Sequence, residues 1–322
     1  MSPPKNILVL GLGELGHSIL TSLARIKPQS TTLTVLIRPS TLSSPSPSKA
    51  LELSILSSLS INFLPADILA LSHSSLTDLF KPYDLIISAL GFASPSGGLQ
   101  IKITKAVLEA KIPRYVPWQF GVDYDLVGRG SAQPVWDEQL DVRDLLRSTS
   151  HSTAWTIIST GLFTSFLFEP SFGIVVKENE ESMAVRALGS WENGITVTTP
   201  EDIGRLTAAI VFVEPPLIDQ VVYTAGDTIR YSRLAELLEE KLGLRVNRVL
   251  WDMDFLEKEL NDDPDNNIKR YRVAFAKGQG VSWDAEKSFN RKKGLEVVDV
   301  KAFVERNLER IKKGKESVEK WK

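Results

Sequence analysis

Cysteine is absent from all 322 residues of this chain, which excludes disulfides, a thiolate nucleophile and any cysteine metal site. Histidine is nearly as scarce: His17, His73 and His151 stand far apart and lack metal-ligand spacing, so no metal is expected. Neither charge sign is in excess. With 38 Lys and Arg against 40 Asp and Glu, and a pI of about 6.0, the chain has no bulk attraction for nucleic acid or anionic membranes. A long apolar run is missing as well: Ala154 to Phe168 is interrupted by Thr, Ser and Gly and falls short of a membrane span. The apolar run after Lys5 is broken by glycines and Glu14, with no small-residue cleavage site behind it. No internal repeat is visible. These absences lead to the expectation of a cytoplasmic protein, monomeric or homodimeric, with no nucleic-acid or membrane partner.

What is present begins at Asn6 to Gly16, NILVLGLGELG. Ile7, Leu8, Val9 and Leu10 read as a short buried strand, and G-x-G-x-x-G comes at once as Gly11, Gly13 and Gly16. Behind it Ile19, Leu20, Leu23 and Ile26 have helical spacing, so strand, tight turn and helix come in the order a dinucleotide site requires. Gly11 permits the sharp turn, Gly13 lets the backbone approach a pyrophosphate, and Gly16 lets the helix lie close to the strand. Glu14 and Leu15 open that helix, whose free N–H groups face the anion.

The residues at the end of the second strand, Thr32 to Ile37, decide the cofactor. A site for NAD usually offers Asp or Glu there, whereas this chain offers Arg38, then Ser40 and Thr41. A guanidinium matches phosphate geometry and hydroxyls add donors, so NADPH is expected over NADH. Ser40 to Ser60 is rich in Ser and Pro, and its PSPS portion reads as a mobile loop before a short helix around Ala50 to Ser58, with no chemistry of its own. Further strands are expected at Asn62 to Ala66, Tyr83 to Leu90 and Arg114 to Pro117, with a helix at Leu99 to Ala110. Asp67 reads equally as an adenine contact or a helix cap. Ala89, Leu90, Gly91 and Phe92 lie at a strand's carboxyl end, where an open parallel sheet binds its ligand. The sustained β-α alternation indicates an α/β fold, a Rossmann-like doubly wound parallel sheet.

The glycine turn, IRPST, LIISALG, KIPRYVPWQFGVDYD, DEQLDVR, ISTGLF and VTTPEDIG together resemble the NmrA-like and isoflavone-reductase-like branch of the atypical short-chain dehydrogenases. The resemblance runs from Lys5 to about Leu308. It implies an NADP(H)-binding domain over residues 1–160, with 195–225 returning to it, and a smaller C-terminal α/β substrate domain over 161–194 and 226–322. It also implies reduction of a small, apolar and often aromatic metabolite. By the same resemblance Gln119, Phe120, Gly121, Gly161 and Leu162 pass near the nicotinamide, and Trp118, Asp123, Trp136, Phe163 and Phe166 border the substrate.

The chain departs from that pattern at several points. Its glycine turn is one residue shorter between the first two glycines, and Trp118 replaces a serine. Gln139 stands four residues before Arg143, where reductases of the family carry a catalytic lysine. An amide donates hydrogen bonds but is no ordinary general acid, so Gln139 is expected to orient the substrate, aided by Glu138 or Asp137 through water. Tyr124 is the expected proton donor. Asp137, Glu138 and Asp141 equally suit a solvated helix face, and Phe163, Phe166 and Phe168 equally suit a core. The missing lysine leaves two further readings open, a non-catalytic NADP(H)-sensing regulator with a protein partner and a non-redox isomerase or cyclase.

Overall fold

A computed structural model describes residues 2–91, 97–149 and 152–314. In chain order its first elements are β1 (Asn6–Leu10), α1 (Glu14–Ile26), β2 (Thr32–Ile37), α2 (Pro39–Ser43), α3 (Pro47–Ser58) and β3 (Ile61–Pro65). Next come α4 (His73–Phe80), β4 (Leu85–Ser88), α5 (Leu99–Glu109), β5 (Arg114–Val116), α6 (Tyr124–Val127), α7 (Val135–Ser148) and β6 (Ala154–Ser159). After these stand β7 (Leu162–Phe163), β8 (Val175–Lys177), β9 (Ser182–Leu188), β10 (Gly194–Thr198), α8 (Pro200–Phe212) and β11 (Gln220–Tyr223). The last labelled elements are β12 (Asp227–Arg230), α9 (Tyr231–Leu242), β13 (Arg245–Trp251), α10 (Met253–Asp262) and α11 (Asn267–Ala276), with short helices beyond them.

The chain divides into two compact units. The first comprises residues 1–120, 138–158 and 200–222 and is built on one sheet, ordered β11-β6-β5-β4-β1-β2-β3. The registers from β3 through β1 to β6 are all parallel. Ile7 to Leu10 of β1 are completely buried, as a strand covered by helices on both faces must be. Strand order reverses at β1, where β2 lies on one side and β4 on the other; this is the switch point at which doubly wound sheets bind ligands. Helix α8 packs against α1 at Gly204, where an added Cβ would stand 2.4 Å from the Ser18 backbone. The two helices therefore touch backbone to backbone.

The Ser- and Pro-rich stretch after β2 corrects the expectation of a mobile loop. Pro39 and Pro47 occupy first-turn positions of α2 and α3, where a missing N–H costs nothing, and the Ser46 hydroxyl accepts from Lys49 N at 3.3 Å. Of the PSPS residues, Pro47 and Ser48 open α3, while Pro45 and Ser46 form the short connection before it.

The second unit comprises residues 121–137, 159–199 and 223–322, so residues 121–137, 159–160, 195–199 and 223–225, expected from sequence in the nucleotide region, pack here. It holds two three-stranded sheets, β12-β10-β7 and β13-β9-β8. Strands β8 and β9 form an antiparallel hairpin, while β13 pairs parallel to β9 from Arg245↔Ser182 to Trp251↔Leu188. The β13 strand had no expectation attached. Its sequence, RVNRVLW, is short, charged and mostly exposed, and tertiary pairing with β9 rather than local pattern makes it a strand.

Candidate functional site

The turn between β1 and α1 is shaped by three glycines that do different work. Gly11 has φ +96°, the left-handed region that favours glycine, and a Cβ there would lie 2.8 Å from the Leu90 side chain. At Gly16 a Cβ would meet the Gly11 carbonyl oxygen at 2.2 Å, so only glycine lets α1 approach the turn this closely. Gly13 differs from both. Its φ is −90°, it caps α1 without a side-chain bond, and a Cβ there would meet nothing within 4 Å. That open place stands at the end of a helix whose first-turn N–H groups attract anions.

Gly11, Leu12 and Gly13 form one wall of a cavity of about 500 Å³, also bordered by Arg38, Thr41 and Lys49, by Ala66 to Leu69 and by Ala89 and Leu90. Arg38 is exposed at the N-terminus of α2, and Ser40, expected beside it, does not line the cavity. Asp67 borders the cavity and accepts from Leu69 N at 3.0 Å within a turn; it caps no helix, since α4 begins at His73 behind Ser72. Lys102 holds that loop in place by donating to the carbonyls of Ile68, Leu69 and Leu71.

Lys49 was not singled out from sequence. It sits in the first turn of α3, where a cation opposes the helix dipole, and this misplacement was the available signal. The structure explains it: Lys49 Nζ donates to the Leu12 carbonyl at 3.0 Å and pairs with Glu52, whose other carboxylate oxygen lies 3.0 Å from His17 Nδ1. A second cation is thereby fixed on the cavity wall, tied to the glycine turn.

Gln139, on α7, belongs to a buried polar chain within the first unit. Arg143 Nε donates to Gln119 Oε1 at 2.9 Å, and Gln119 Nε2 donates to Gln139 Oε1 at 2.9 Å and to the Gln139 carbonyl at 3.1 Å. All three side chains are fully buried, and Gln139 Nε2 has no hydrogen-bond partner among the described residues. A buried amide donor left unpaired costs about 1–3 kcal/mol. The neighbouring carboxylates do not serve it: Glu138 Oε1 accepts from Gln100 N at 2.7 Å and Ile101 N at 3.2 Å, capping α5, and Asp137 accepts from Gly130 N at 3.1 Å. Asp137 and Glu138 are therefore committed to backbone groups.

The other expected site residues are more scattered. Trp118 lies along Gly91, 3.6 Å from a Cβ placed there, and Gln100 Nε2 donates to the Gly91 carbonyl at 2.6 Å. Glu14 is exposed at the start of α1, Leu15 is buried, and Phe92 lies outside the described residues. Phe120 is buried in the first unit.

Tyr124, Trp136, Asp123, Phe163 and Phe166 belong to the second unit, so Tyr124 and Gln139 are not brought together within one unit. Tyr124 is 1% exposed, with its ring edge-on to Trp136 at 6.0 Å. Trp136 in turn meets Tyr271 and Phe275 at 5.8 Å, and burial pushes the Tyr271 phenol up to about 12. What Tyr124 and Trp136 display is aromatic core packing. Asp123, expected at the substrate, is buried; it accepts from Asp125 N and, at 2.8 Å, from the Tyr223 hydroxyl. Phe163 is half-buried and Phe166 exposed, edge-to-face at 6.4 Å, while Phe168 stacks on Phe303. The Gly121 carbonyl accepts from both Thr160 N and Gly161 N. Gly161 has φ +74° and no room for a Cβ beside the Thr196 carbonyl at 2.1 Å, and Leu162 pairs with Val197. Among the described residues no group of three or more His, Asp or Glu is placed to hold a metal, and no helix is long and apolar enough to cross a membrane.

With this geometry in hand, the chain can be set beside known proteins. The NmrA-like family profile matches residues 3–304. An NmrA-like family domain-containing oxidoreductase of Gibberella moniliformis is 44% identical over 301 residues, covering 93% of this chain and 97% of that protein. Phenylcoumaran benzylic ether reductase 1 of Arabidopsis thaliana is 27% identical, covering 93% and 96%. Among solved structures, an isoflavone reductase superposes with a TM-score of 0.75 at 19% identity, covering 93% and 98%. The binary complex of leucoanthocyanidin reductase and NADPH from Vitis vinifera gives 0.69 at 20% identity, covering 87% and 89%. These structures share the fold.

Proposed function

The chain belongs to the NmrA-like family, and on that premise we propose that it is an NADPH-dependent reductase of a small, largely apolar or aromatic metabolite, acting on a C=C or C=O bond. The observation that carries this reading is the cavity at the β1–α1 turn, with an open Gly13 at the helix N-terminus and two cations, Arg38 and Lys49, on its wall. Those residues fit a phosphorylated dinucleotide. Gly13 and the first turn of α1 receive the pyrophosphate, because exposed N–H groups and the helix dipole both favour an anion there. Arg38 and Lys49 hold the 2′-phosphate between a forked guanidinium and a point charge, and Thr41 adds a hydroxyl. Ala66 to Leu69 border the adenine, and Ala89 and Leu90 carry the ligand past the carboxyl end of β4. The cofactor supplies the hydride when bound.

The names of the relatives support the reductase assignment, one being an oxidoreductase and one a benzylic ether reductase. Titration calorimetry tests the cofactor choice. Arg38→Ala should weaken NADPH binding by about 1.5–3 kcal/mol, the range for hydrogen bonds to charged groups, and leave NADH nearly unchanged. Equal losses for the two dinucleotides would remove the 2′-phosphate from Arg38.

A further inference from the structure

The buried chain Arg143–Gln119–Gln139 has a direction, and the direction is set by which atoms can only donate. A guanidinium has no acceptor, so the group facing Arg143 Nε at 2.9 Å must be the Gln119 oxygen. The Gln119 NH2 then faces Gln139, giving one hydrogen bond to its side-chain oxygen at 2.9 Å and one to its main-chain carbonyl at 3.1 Å. The Gln139 oxygen is thereby engaged, and the end of its side chain that remains is the NH2, buried and without a partner among the described residues. Reversing Gln139 would turn two NH2 groups on each other, and reversing Gln119 would turn an NH2 on the guanidinium. The permanent charge of Arg143 therefore fixes an amide donor two side chains away.

We propose that Gln139 is a hydrogen-bond donor to the substrate's oxygen, held in that polarity by Gln119 and Arg143, and that the substrate is a neutral ketone or enone. This rests on the reductase reading above. The donor is enclosed in the structure, and an unpaired buried N–H disfavours that closed state against one in which an acceptor has entered. A neutral oxygen suits it: the amide brings no formal charge to balance a carboxylate, and an alcohol gains nothing from its own O–H there. In the step this serves, hydride from the reduced nicotinamide adds to the electrophilic carbon and the displaced π pair moves to oxygen. The Gln139 N–H groups bind that oxyanion, polarised through Gln119 by Arg143, and water supplies the proton. Gln139 thus stabilises developing charge and transfers no proton. Gln119 and Arg143 are positioning residues.

The test is Gln119→Glu, a nearly isosteric change that reverses the chain. A carboxylate still accepts from Arg143 but cannot donate to Gln139, so Gln139 turns its NH2 inward and presents its oxygen outward. The probes are acetophenone and ethylbenzene, alike in ring and size but not in acceptor, titrated calorimetrically with and without NADP⁺. The native protein should bind the ketone about tenfold more tightly than the hydrocarbon, the scale of one buried hydrogen bond. In Gln119→Glu the ratio should fall to about one while the protein still folds. A purely structural role for the chain would leave the ratio where it was. If Gln119→Glu fails to fold, Gln139→Met removes the donor at similar volume and should also bring the ratio to one. No preference for the ketone in the native protein, or the native preference retained in the variant, overturns the proposal. Failure of NADP⁺ to bind while the ratio behaves as described strikes the cofactor reading alone.

Discussion

The glycine turn and the glutamine chain lie in the same unit and are made of opposite materials. Around Gly11, Gly13 and Gly16 the shape is set by main-chain atoms, and its defining feature is space: a missing Cβ lets backbone touch backbone at Gly16 and leaves an opening at Gly13. Along α7 the shape is set by three long polar side chains in full burial, and its defining feature is the order of donors and acceptors. One region is specified by what is absent from each residue. The other is specified by the partner of each residue, and those partners lie 20 and 24 positions apart in the chain.

The comparison can be broken first at Gly16. Replacement by Ala drives a Cβ into the Gly11 carbonyl at 2.2 Å. Neither atom belongs to a flexible side chain, so the cost should reach the upper end of overpacking, about 3 kcal/mol or more. Thermal denaturation should show a fall of roughly 6–12 °C, with dinucleotide binding lost alongside. A stable Gly16→Ala protein would mean that α1 can retreat and that the turn is not a fixed form.

Gly13→Val sharpens the same contrast from the other side. Its Cβ enters open space, so stability should change by no more than about 1 kcal/mol, the difference between Gly and Val at a helix N-cap. Binding of NADPH and NADH should both fall more than about 100-fold, or roughly 2.7 kcal/mol, because the branched side chain occupies the pyrophosphate's place. Dinucleotide binding that survives in the folded variant removes the anchor of the functional reading.

A smaller effect is expected at the cavity wall. Lys49→Met keeps most of the stem and removes the charge and the bond to the Leu12 carbonyl. NADPH should weaken by about 1.5 kcal/mol, near the low end for hydrogen bonds to charged groups, and NADH by much less. Calorimetry at two salt concentrations checks the origin, since the native preference for NADPH should shrink as salt rises. A salt-independent preference would move the discrimination away from the cations.

The smallest effect is expected at Tyr124. Its side chain is 1% exposed against Trp136, so Tyr124→Phe should leave turnover within about threefold, well below the range of a lost general acid. A fall of about 10²-fold or more in steady-state turnover would return proton donation to this phenol and weaken the contrast between the two regions.

The first region was legible in the sequence because its constraints are local. A buried run, G-x-G-x-x-G and a helical period fix β1, the turn and α1 within consecutive residues, and Arg38 comes directly after β2. Lys49 was not legible as a cavity residue, because its place depends on α3 starting at Pro47, and Ser-Pro repeats read as loop as easily as cap. Gln139 was legible as a departure from a family pattern, but its polarity was not. That required knowing that Arg143 Nε faces the Gln119 side-chain oxygen. The edge-on packing of Tyr124 against Trp136 was not legible either, since nothing in the local sequence marks the two rings as neighbours.

The contact at Gly204 has a consequence for how the site comes into being. Helix α1 is translated before α8, and the face it presents to α8 is covered only after residues 200–212 have been synthesised. The dinucleotide motif is thus translated early and completed late. A nascent chain that has not reached residue 212 carries every glycine of the turn and lacks the helix that braces it. The cofactor therefore becomes available as a folding aid only once α8 has been made, when binding can add its free energy to the folded side of the equilibrium.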